Sequence, residues 1–428
     1  MGTLAVTIQR FLSGVVLFFN WIIASFYRNR QLHNARFARI DELASLLSST
    51  LETETSLLLG ASHFTHVLRV RPTDTRRELG NLLIVAPTRG GKGLLATSQL
   101  LTWEHSVVVN DIKGELFTQT AGYRSTLGPV FVVDPTGVGH RYDPLLGKQT
   151  EDEIFSSATH LLFKPDEGEG AIFTQRATVM LTQVLLAARA EGHAPLPYVR
   201  QIIRSGLAAA AERLNTISPE LATQFLDVEF AQANLSDRFL LSAWGTLSGG
   251  SLIDELITTY DTLQGEDCRE VLLLIDEAGR TAIPSLSDHA TTVVGRGVSL
   301  WIAIQSLSQL DAVYGKARAH VLRDNVESQI YYRPSNQETA DYLQHCLGRR
   351  SEYAHSQTMG EGTHTSQGLS EQGVPLLTAQ EIKQLKDEEI IGFHRRLPAF
   401  KAKRMDWRRF PILTQRQSIP PAEAFSFT

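Results

Sequence analysis

Short apolar runs alternate with helix-compatible stretches in the early part of the chain. The runs cover Leu82–Ala86, Ser106–Asn110 and Pro129–Asp134. Uninterrupted branched aliphatic runs of this length are typical of central strands that are buried on both faces, and their alternation with helices is typical of a parallel sheet. The pattern therefore predicts an α/β fold.

The same strand pattern occurs at other places in the chain. The further predicted strands are Thr65–Val70, Val271–Ile275, Ser299–Ile304, Val326–Tyr331 and Glu389–Phe393. Between the last two, residues Ser351 to Gly373 are rich in Ser, Gly, Thr, His and Gln, which predicts a long mobile loop. The tail from Thr414 has no periodicity, so we predict no element there.

The middle of the chain, residues 150–262, contains no convincing strand. Ala, Leu, Gln, Arg and Glu are frequent there, and these residues favour helices. The predicted helices are Phe173–Ala190, Leu196–Leu214, Pro219–Ala233 and Leu235 to about Leu263. This texture predicts an all-helical insertion that begins near Lys148 and ends near Gly265.

The N-terminal segment Phe11–Tyr27 contains no charged residue. It is shorter than the ~20 residues that cross a bilayer, and its aromatic residues cluster near its end. Arginines follow at once, at positions 28, 30, 36 and 39, which places the following chain on the cytoplasmic side of a membrane. We expect an uncleaved anchor; an interfacial helix, or a helix that packs on a partner's membrane segment, stays open.

The overall composition excludes few functional classes. The chain has 428 residues and a formal net charge of −5, so global charge gives no support for nucleic-acid binding, although a local basic stripe would suffice. The two cysteines, Cys268 and Cys346, lie far apart in the sequence. This indicates a reducing compartment, without a disulfide framework or a zinc site.

A glycine-rich turn with a lysine follows the first apolar run and precedes a helix-compatible stretch. The candidate phosphate-binding residues are Thr88, Arg89, Gly90, Gly91, Lys92, Gly93 and Leu94. Glycines allow backbone N–H groups to surround an anion, the helix N-terminus adds positive potential, and the lysine reaches the β- and γ-phosphates. Two positions depart from the motif, because Ala86 replaces its first glycine and Gly93 replaces the hydroxyl residue that ordinarily ligates Mg²⁺.

Two acids follow the strand predicted at Val271–Ile275. In P-loop ATPases the first acid holds Mg²⁺ and the second orients the attacking water, which assigns these roles to Asp276 and Glu277. Gln305 follows the strand Ser299–Ile304, where its amide would sense the γ-phosphate by donating a hydrogen bond.

Three charged residues follow the strand Ser106–Asn110 and belong to the same predicted ligand edge. They are Asp111, Lys113 and Glu115. They would either order the phosphate loop or transmit the state of the nucleotide, and the sequence does not decide between these roles.

Ordered sequence blocks then point to a family. They are Thr88–Gly93, Asn110–Leu116, Thr120–Arg124, Val132–Pro135, Tyr142–Leu145, Leu274–Gly279, Gly295–Gly297, Ala303–Leu310, Tyr314–Gly315, Glu338–Ala340, Leu347–Gly348, Val374–Thr378 and Glu381–Ile382. In these blocks the chain resembles the type IV coupling proteins, the TraG/TraD-like ATPases of conjugation and type IV secretion. The resemblance extends over roughly residues 80–410.

The resemblance implies a RecA-like P-loop NTPase domain with an inserted all-α domain and an N-terminal membrane-associated helix. The implied divisions are a membrane anchor or interfacial helix (1–30), an N-terminal linker region (31–78), a first nucleotide-binding part (79–148), the insertion (149–264), a second nucleotide-binding part (265–413) and a tail (414–428). It also implies ATP and Mg²⁺ as ligands and Arg296 as an arginine finger that acts in a neighbouring subunit.

The implied partners follow the family. They are DNA, single- or double-stranded, a relaxase, the components of a type IV secretion channel, and further copies of the chain in a homo-hexamer. The implied location is the cytoplasmic face of the bacterial inner membrane. The family usually has a further strand and helix before the acidic strand, whereas Ser242–Arg269 has room for about one helix.

Two other functions remain open from the residues. A soluble DNA pump of the FtsK/HerA type shares the phosphate loop and the acidic strand but does not need residues 11–27. A nucleotide-binding receptor with little turnover fits the absent hydroxyl at Gly93 and the shortened segment before Val271.

Overall fold

The structure is a computed structural model. It describes residues 33–421 except for 63–65, 134–138, 141–142, 144, 149, 162–168, 227–252, 264–267, 281–282, 284–285 and 360–364. The predicted membrane-associated segment, residues 11–27, lies outside the described residues. In the described part of the chain, none of the helices is both long and apolar enough to cross a membrane.

Most of the strands belong to one sheet. The strands are β1 (Leu47–Ser48), β2 (Leu57–Ala61), β3 (Val67–Val70), β4 (Leu82–Val85), β5 (Ser106–Asn110), β6 (Val271–Ile275), β7 (Val298–Ile304), β8 (Ser328–Tyr332), β9 (Arg349–Met359), β10 (Thr365–Pro375), β11 (Glu389–His394) and β12 (Phe400–Lys403). Ten of them form a mixed sheet in the order β1-β3-β2-β12-β11-β8-β4-β7-β6-β5. The other two, β9 and β10, pair with each other.

One half of the sheet is parallel and the other half is antiparallel. Strands β5, β6, β7, β4 and β8 run in one direction, whereas β11, β12, β2, β3 and β1 pair in antiparallel fashion. The prediction of a parallel sheet therefore holds for one half only. The five parallel strands place their carboxyl ends along one edge, which we call the carboxyl edge; their amino ends form the amino edge.

Strands β4 and β7 are buried, as their apolar runs predict. Every residue of β4 and of β7 is buried, and the two strands pair in parallel from Leu82 with Trp301 to Val85 with Ile304. Strand β7 separates β4 from the acidic strand β6, and the carboxyl ends of all three strands lie at the carboxyl edge, where α/β sheets bind ligands.

The helices pack on both sides of this sheet and in the middle segment. They are α1 (Lys92–Leu100), α2 (Glu115–Leu127), α3 (Glu151–Leu161), α4 (Glu169–Ala190), α5 (Pro195–Ser205), α6 (Leu207–Ile217), α7 (Pro219–Leu226), α8 (253–262), α9 (Leu286–Thr292), α10 (Leu307–Tyr314), α11 (Lys316–Asp324), α12 (Gln337–Leu347), α13 (Ala379–Lys383) and α14 (Pro411–Gln417). Short 3₁₀ helices cover Val294–Arg296 and Trp407–Arg409.

Helices α3 to α7 contribute to a hydrophobic cluster of their own, separate from the clusters on the two faces of the sheet. The predicted helix Phe173–Ala190 lies within α4. The single helix predicted over Leu196–Leu214 is wrong, because the chain breaks at Gly206, whose φ of 85° lies outside the helical region. Of the two later predicted helices, residues 227–252 lie outside the described part.

One predicted strand is absent from the described residues, and five strands were not predicted. In the described residues 129–133 there is only an isolated bridge from Val133 to Gly139, and Phe131 is 72% exposed, so this apolar run lies on the surface. The N-terminal linker region contains β1 and β2 besides β3, which confirms the strand predicted over Thr65–Val70, and β12 lies in a segment with mixed polarity. The other two unpredicted strands are β9 and β10. Helix α14 also continues past Thr414, into the predicted tail.

The loop predicted from Ser351 to Gly373 is instead an antiparallel hairpin. Strands β9 and β10 are 11 residues long each and pair from Arg349 with Pro375 to Met359 with Thr365. Their backbone groups satisfy each other, which does not require the apolar pattern that prediction depends on. The base of the hairpin also receives the N-terminal segment, because Ala35 N–H donates to the Arg349 carbonyl at 3.0 Å.

Candidate nucleotide-binding site

The glycine-rich turn lies at the carboxyl edge, between β4 and α1. Ala86 N–H donates to the Ile304 carbonyl at 3.0 Å, and Gly90 N–H donates to the Pro87 carbonyl at 2.8 Å, which closes the turn. Arg89 has a φ of 63° and Gly91 a φ of 104°, so the loop turns through two left-handed positions. A turn of this kind directs successive N–H groups toward an anion.

Helix α1 begins at Lys92, so the N-terminus of the helix faces the same space as the turn. There is no acidic residue in its first turn, and the partial positive charge of the helix is therefore uncompensated by side chains. Thr88 and Arg89 are exposed, whereas Lys92 is only 8% exposed. A buried ammonium at a helix start is expensive unless anions surround it.

The structure brings Lys92 together with both predicted acids. The Lys92 ammonium donates to Glu277 Oε1 at 3.1 Å and lies 3.7 Å from Asp276 Oδ1. The turn and the acidic strand therefore converge at one point, although 185 positions separate Lys92 from Glu277.

Glu277 lies among three cationic side chains. Besides Lys92, Lys113 Nζ lies 3.3 Å from Glu277 Oε1 and Arg280 Nε lies 3.4 Å from Oε2. Burial acts to raise the pKa of Glu277, but the hydrogen bonds and charges of Lys92 and Lys113 outweigh it and lower that pKa. The φ of Glu277 is 63°, a strained value for this residue type, and strain of this kind is often found at functional sites.

Asp276 is a buried carboxyl group that a bound cation would stabilise in its ionised form. Burial raises the pKa of Asp276, and the attraction of Lys92 only partly offsets it. Its Oδ1 is buried without a hydrogen-bond partner among the described residues. An unsatisfied buried carboxylate oxygen beside a phosphate loop fits Mg²⁺, which is held by one or two carboxylates together with substrate phosphates and water.

The missing hydroxyl leaves a space rather than a blocked position. A Cβ placed on Gly93 would have no heavy atom within 4 Å apart from its chain neighbours and the backbone of its own helix. A metal ion at this place would therefore use water where other phosphate loops use Ser or Thr. In the described residues, no group of three or more His, Cys, Asp and Glu side chains forms a further metal site.

Gln305 follows β7 and lies beside the turn. Its Oε1 accepts a hydrogen bond from the Thr88 hydroxyl at 3.2 Å, and its backbone N–H donates to Gln309 Oε1 at 3.1 Å. Because Gln305 contacts the loop itself, its amide is in position to respond to an anion there.

The three charged residues after β5 have different surroundings. Lys113 pairs with Glu277, as described above. Asp111 Oδ2 accepts a hydrogen bond from Phe117 N–H at 2.8 Å, and Glu115 lies in the first turn of α2. Asp111 and Glu115 thus belong to the start of α2, whereas Lys113 contacts the acidic pair.

Arg296 is not brought to this site. It lies in the 3₁₀ helix that precedes β7, at the amino edge. Its guanidinium forms a two-pronged ion pair with Asp261 at 2.8 and 3.1 Å and also donates to the Thr292 carbonyl at 3.2 Å. Arg296 therefore has no contact with the phosphate loop of its own chain.

Sequence reasoning missed two arginines at the carboxyl edge. Arg280 pairs with Glu277, and its spacing of three residues from that acid is a signal that was available in the sequence. Arg404 donates from Nη1 to the Gly90 carbonyl at 3.3 Å. No signal near Arg404 in the sequence pointed to the loop, because β12 itself was not predicted.

Two family models match this chain. A family described as "Type IV secretory system Conjugative DNA transfer" matches residues 47–236, and a family described as "TraM recognition site of TraD and TraG" matches residues 270–387. The two matched segments do not overlap, and they contain the phosphate loop and the acidic pair respectively.

The individual relatives either have low sequence identity to this chain or match only a short part of it. The chain is 26% identical over 420 residues to the protein VirD4 of Rhizobium radiobacter, a match that covers 81% of this chain and 60% of the relative. It is 53% identical over 45 residues to the conjugal transfer protein TraG of Escherichia coli, which covers 10% of this chain and 7% of that protein. The chain thus spans about 60% of the length of VirD4.

Solved structures show the same fold. The bacterial conjugative coupling protein TrwBdeltaN70, in a trigonal form with sulphate, superposes with a TM-score of 0.60 at 16% identity, covering 87% of this chain and 94% of that chain. TrwB in complex with the non-hydrolysable ATP analogue ADPNP superposes with a TM-score of 0.57 at 16% identity, over 82% and 94% of the two chains. The TrwB structures show that the chain shares their α/β fold with a large mixed sheet. Its two family matches, over residues 47–236 and 270–387, and its VirD4 relatives identify the chain as a type IV coupling protein.

Proposed function

We propose that this chain is an ATP-hydrolysing coupling protein that recruits DNA or a relaxase–DNA complex and drives it to a type IV secretion or conjugation channel. The observation that carries the proposal is the convergence of Lys92 with Glu277 and Asp276 within 3.1 and 3.7 Å, at the mouth of the glycine-rich turn. A cation, two acids and a ring of N–H donors are the groups that phosphoryl transfer needs.

Lys92 would exchange partners when nucleotide binds. Its ammonium forms ion pairs with the two acids, which stabilises the positive charge at a buried position. The β- and γ-phosphates would take over this ammonium, because they bring more negative charge to the loop than Glu277 does. This supports ATP as the substrate, and it agrees with the TrwB structures in complex with ADPNP and with ADP and Mg²⁺.

Asp276 and Glu277 would then have different roles. Asp276, with its unsatisfied buried oxygen, would hold Mg²⁺, which neutralises charge on the phosphates when it is bound. Glu277 would orient and activate the attacking water once Lys92 has moved away, and Lys113, 3.3 Å from its Oε1, would remain as its cationic partner. Gln305 would place its amide against the γ-phosphate.

Arg296 would complete the site of a neighbouring subunit. Because it lies at the amino edge, its only route to a phosphate is through a second copy of the chain, as in a homo-hexamer. The ion pair with Asp261 is partly exposed, 30% for the arginine and 51% for the acid, so its two charges can separate at small cost. An arginine of this kind neutralises charge in the transition state.

The location and the partners belong to the same proposal. Residues 11–27 would hold the chain at the cytoplasmic face of the bacterial inner membrane, where a relaxase and the channel components would meet it. The family matches to conjugative DNA transfer and to TraM recognition support partners of the DNA-transfer machinery.

A nucleotide-binding receptor with little turnover is the second candidate. The observation that favours it is the open space at Gly93, which leaves the site one Mg²⁺ ligand short of the usual motif. Both candidates predict nucleotide binding, and only the first predicts turnover. A soluble pump without a membrane role is separated by fractionating cells that express the chain with and without residues 1–30.

The deciding experiment is steady-state ATP turnover by the purified full chain, with and without single-stranded DNA. Lys92→Ala should abolish turnover, because the substituted site has no cation for the γ-phosphate. Lys316→Ala, which removes an exposed lysine on α11, is the matched control and should keep full activity. DNA-stimulated turnover that survives in Lys92→Ala would refute the motor; tight ATP binding by the wild type without turnover would support the receptor.

A further inference from the structure

Arg404 reaches the carboxyl edge from the antiparallel half of the sheet. It follows β12, which pairs antiparallel with β11, and β11 pairs antiparallel with β8. Two reversals make β12 run in the same direction as β8 and β4. The residue after β12 therefore emerges at the same edge as the phosphate loop, across the strands β11 and β8.

The side chain of Arg404 lies directly against the loop. Its Nη1 donates to the Gly90 carbonyl at 3.3 Å. A Cβ placed on Gly91 would lie 3.2 Å from Nη1 and 3.3 Å from Cδ of the same arginine. Glycine at position 91 thus serves two purposes, since it permits the φ of 104° and leaves room for the guanidinium beside the anion site.

Neighbouring cations have acid partners, and Arg404 does not. Arg408 pairs with Asp406 at 2.7 Å, and Lys403 pairs with Glu388 at 3.5 Å. Among the described residues, no carboxylate lies within ion-pair distance of Arg404. Its only described side-chain hydrogen bond uses a single donor of the several that a guanidinium carries, so the group is left with donors for an anion.

A backbone hydrogen bond holds Arg404 in position. Arg404 N–H donates to the Glu388 carbonyl at 2.7 Å, and the side chain is partly buried.

Tyr332, the last residue of β8, is 2% exposed and its hydroxyl has no hydrogen-bond partner among the described residues. Burial raises the pKa of Tyr332, and the positive charge of Arg404 is near enough to oppose that rise.

We propose that Arg404 binds the phosphates of the nucleotide from the β12 side of the loop, as a second cation alongside Lys92. The inference rests on the proposed nucleotide site and adds a residue to it. Arg404 touches the loop around Gly90 and Gly91 rather than the acids, so its contact falls on the diphosphate that ADP and ATP share. It therefore contributes to ground-state binding and leaves the chemical step to Lys92, Glu277 and Asp276.

The experiment measures the Kd of a fluorescent ADP analogue for the purified full chain, together with KM and kcat for ATP. Arg404→Ala should raise Kd about tenfold and KM similarly, the loss expected for a charged hydrogen bond, with kcat little changed. Arg408→Ala, the nearby arginine that already has an acid partner, is the control and should leave Kd unchanged.

Two substitutions separate phosphate contact from support of the loop. Arg404→Lys keeps the charge, and it should recover most of the affinity. Arg404→Gln keeps an N–H donor for the Gly90 carbonyl without the charge, and it should bind as weakly as Arg404→Ala. Recovery by Gln and not by Lys would overturn the phosphate contact, as would a Kd of Arg404→Ala within twofold of the wild type.

The result also distinguishes this inference from the function beneath it. A wild-type chain that binds ADP, with an unaffected Arg404→Ala variant, rejects Arg404 alone. A wild-type chain that binds no ADP rejects the nucleotide site and the role of Arg404 together. A melting temperature of Arg404→Ala equal to that of the wild type shows that lost affinity comes from the contact rather than from unfolding.

Discussion

The two edges of the parallel sheet treat charge in opposite ways. At the carboxyl edge, Lys92 and Glu277 are 8% and 4% exposed and share a hydrogen bond. At the amino edge, Arg296 and Asp261 form an ion pair with side chains that are 30% and 51% exposed. Both pairs have good geometry, and they differ in how much water reaches them.

This difference shows where each edge can act. Electrostatic interactions strengthen when water is excluded, so the buried charges at the carboxyl edge hold each other in place until a stronger anion arrives. An exposed ion pair contributes about 0–1 kcal/mol and exchanges partners readily. The carboxyl edge is therefore organised within one chain, whereas we propose that the amino edge acts only when a second molecule covers it.

The largest effect should come from testing this contrast at Arg296. Arg296→Ala should leave the nucleotide affinity of the isolated chain unchanged and lower ATP turnover of the assembled protein by about 10³-fold. Arg318→Ala, an exposed arginine on α11, is the control for turnover.

Mixing variants tests whether Arg296 acts between subunits. An assembly of Lys92→Ala and Arg296→Ala chains contains interfaces where an intact Lys92 faces an intact Arg296 from its neighbour. Such mixtures should recover part of the turnover that each variant lacks alone. Absence of recovery, with both variants shown to co-assemble, would assign Arg296 to its own chain and its ion pair.

A second test separates binding from chemistry at the carboxyl edge. Glu277→Gln keeps an oxygen that accepts from Lys92 and Lys113, so nucleotide binding should persist, while turnover should fall about 10²-fold or more because the water loses its base. Equilibrium binding and single-turnover hydrolysis measure the two quantities. Turnover above half the wild-type rate would remove Glu277 from the chemistry.

The amino edge also contains a half-buried acid, Glu270, which departs from the pattern of exposed charges at that edge. Burial, together with the nearby charge of Glu78, raises the pKa of Glu270 to about 7. A carboxyl group with a raised pKa in the folded state costs stability above its unfolded pKa, so this cost grows between about pH 4.5 and pH 7 and stays constant above. No cation among the described residues pairs with Glu270 to offset it.

Glu270→Gln should therefore stabilise the chain at pH 8 by about 1–2 kcal/mol, less than the full shift implies because water reaches part of this carboxyl group, and have little effect at pH 4.5. Melting temperatures of wild type and variant across this pH range provide the measurement. Glu78→Gln, which removes the charge beside Glu270, should shift the wild-type profile to lower pH. A gain from Glu270→Gln that is equal at both pH values would show that titration is not its cause.

The smallest effect should come from adding the missing hydroxyl. Gly93→Ser introduces a side chain into a space with no atom within 4 Å of the new Cβ, so folding should be unaffected. Nucleotide affinity should rise a few-fold, about 0.5–1 kcal/mol, only when Mg²⁺ is present. Gly295→Ser, at an equally open position of the amino edge, is the control. An equal gain in EDTA would exclude a metal contact.

Local sequence was sufficient where one physical requirement acts on neighbouring residues. A strand that is buried on both faces needs an uninterrupted apolar run, as in β4 and β6. A turn around an anion needs glycines such as Gly90 and Gly91 beside a lysine such as Lys92. The same reasoning failed for residues 129–133, because an exposed apolar run such as that around Phe131 resembles a buried strand. It also failed for β9 and β10, whose backbone pairing leaves no apolar pattern.

The sequence by itself determined the phosphate loop, the acids that follow β6 and the strands that precede both, since glycine content, charge and two-sided burial are written in adjacent positions. Only the tertiary structure decided that Lys92 meets Glu277, that Asp261 holds Arg296, and that Arg404 reaches Gly90 across 314 positions. The order and direction of the strands place these residues together. Strand order depends on the free energy of the whole sheet, which no single segment contains.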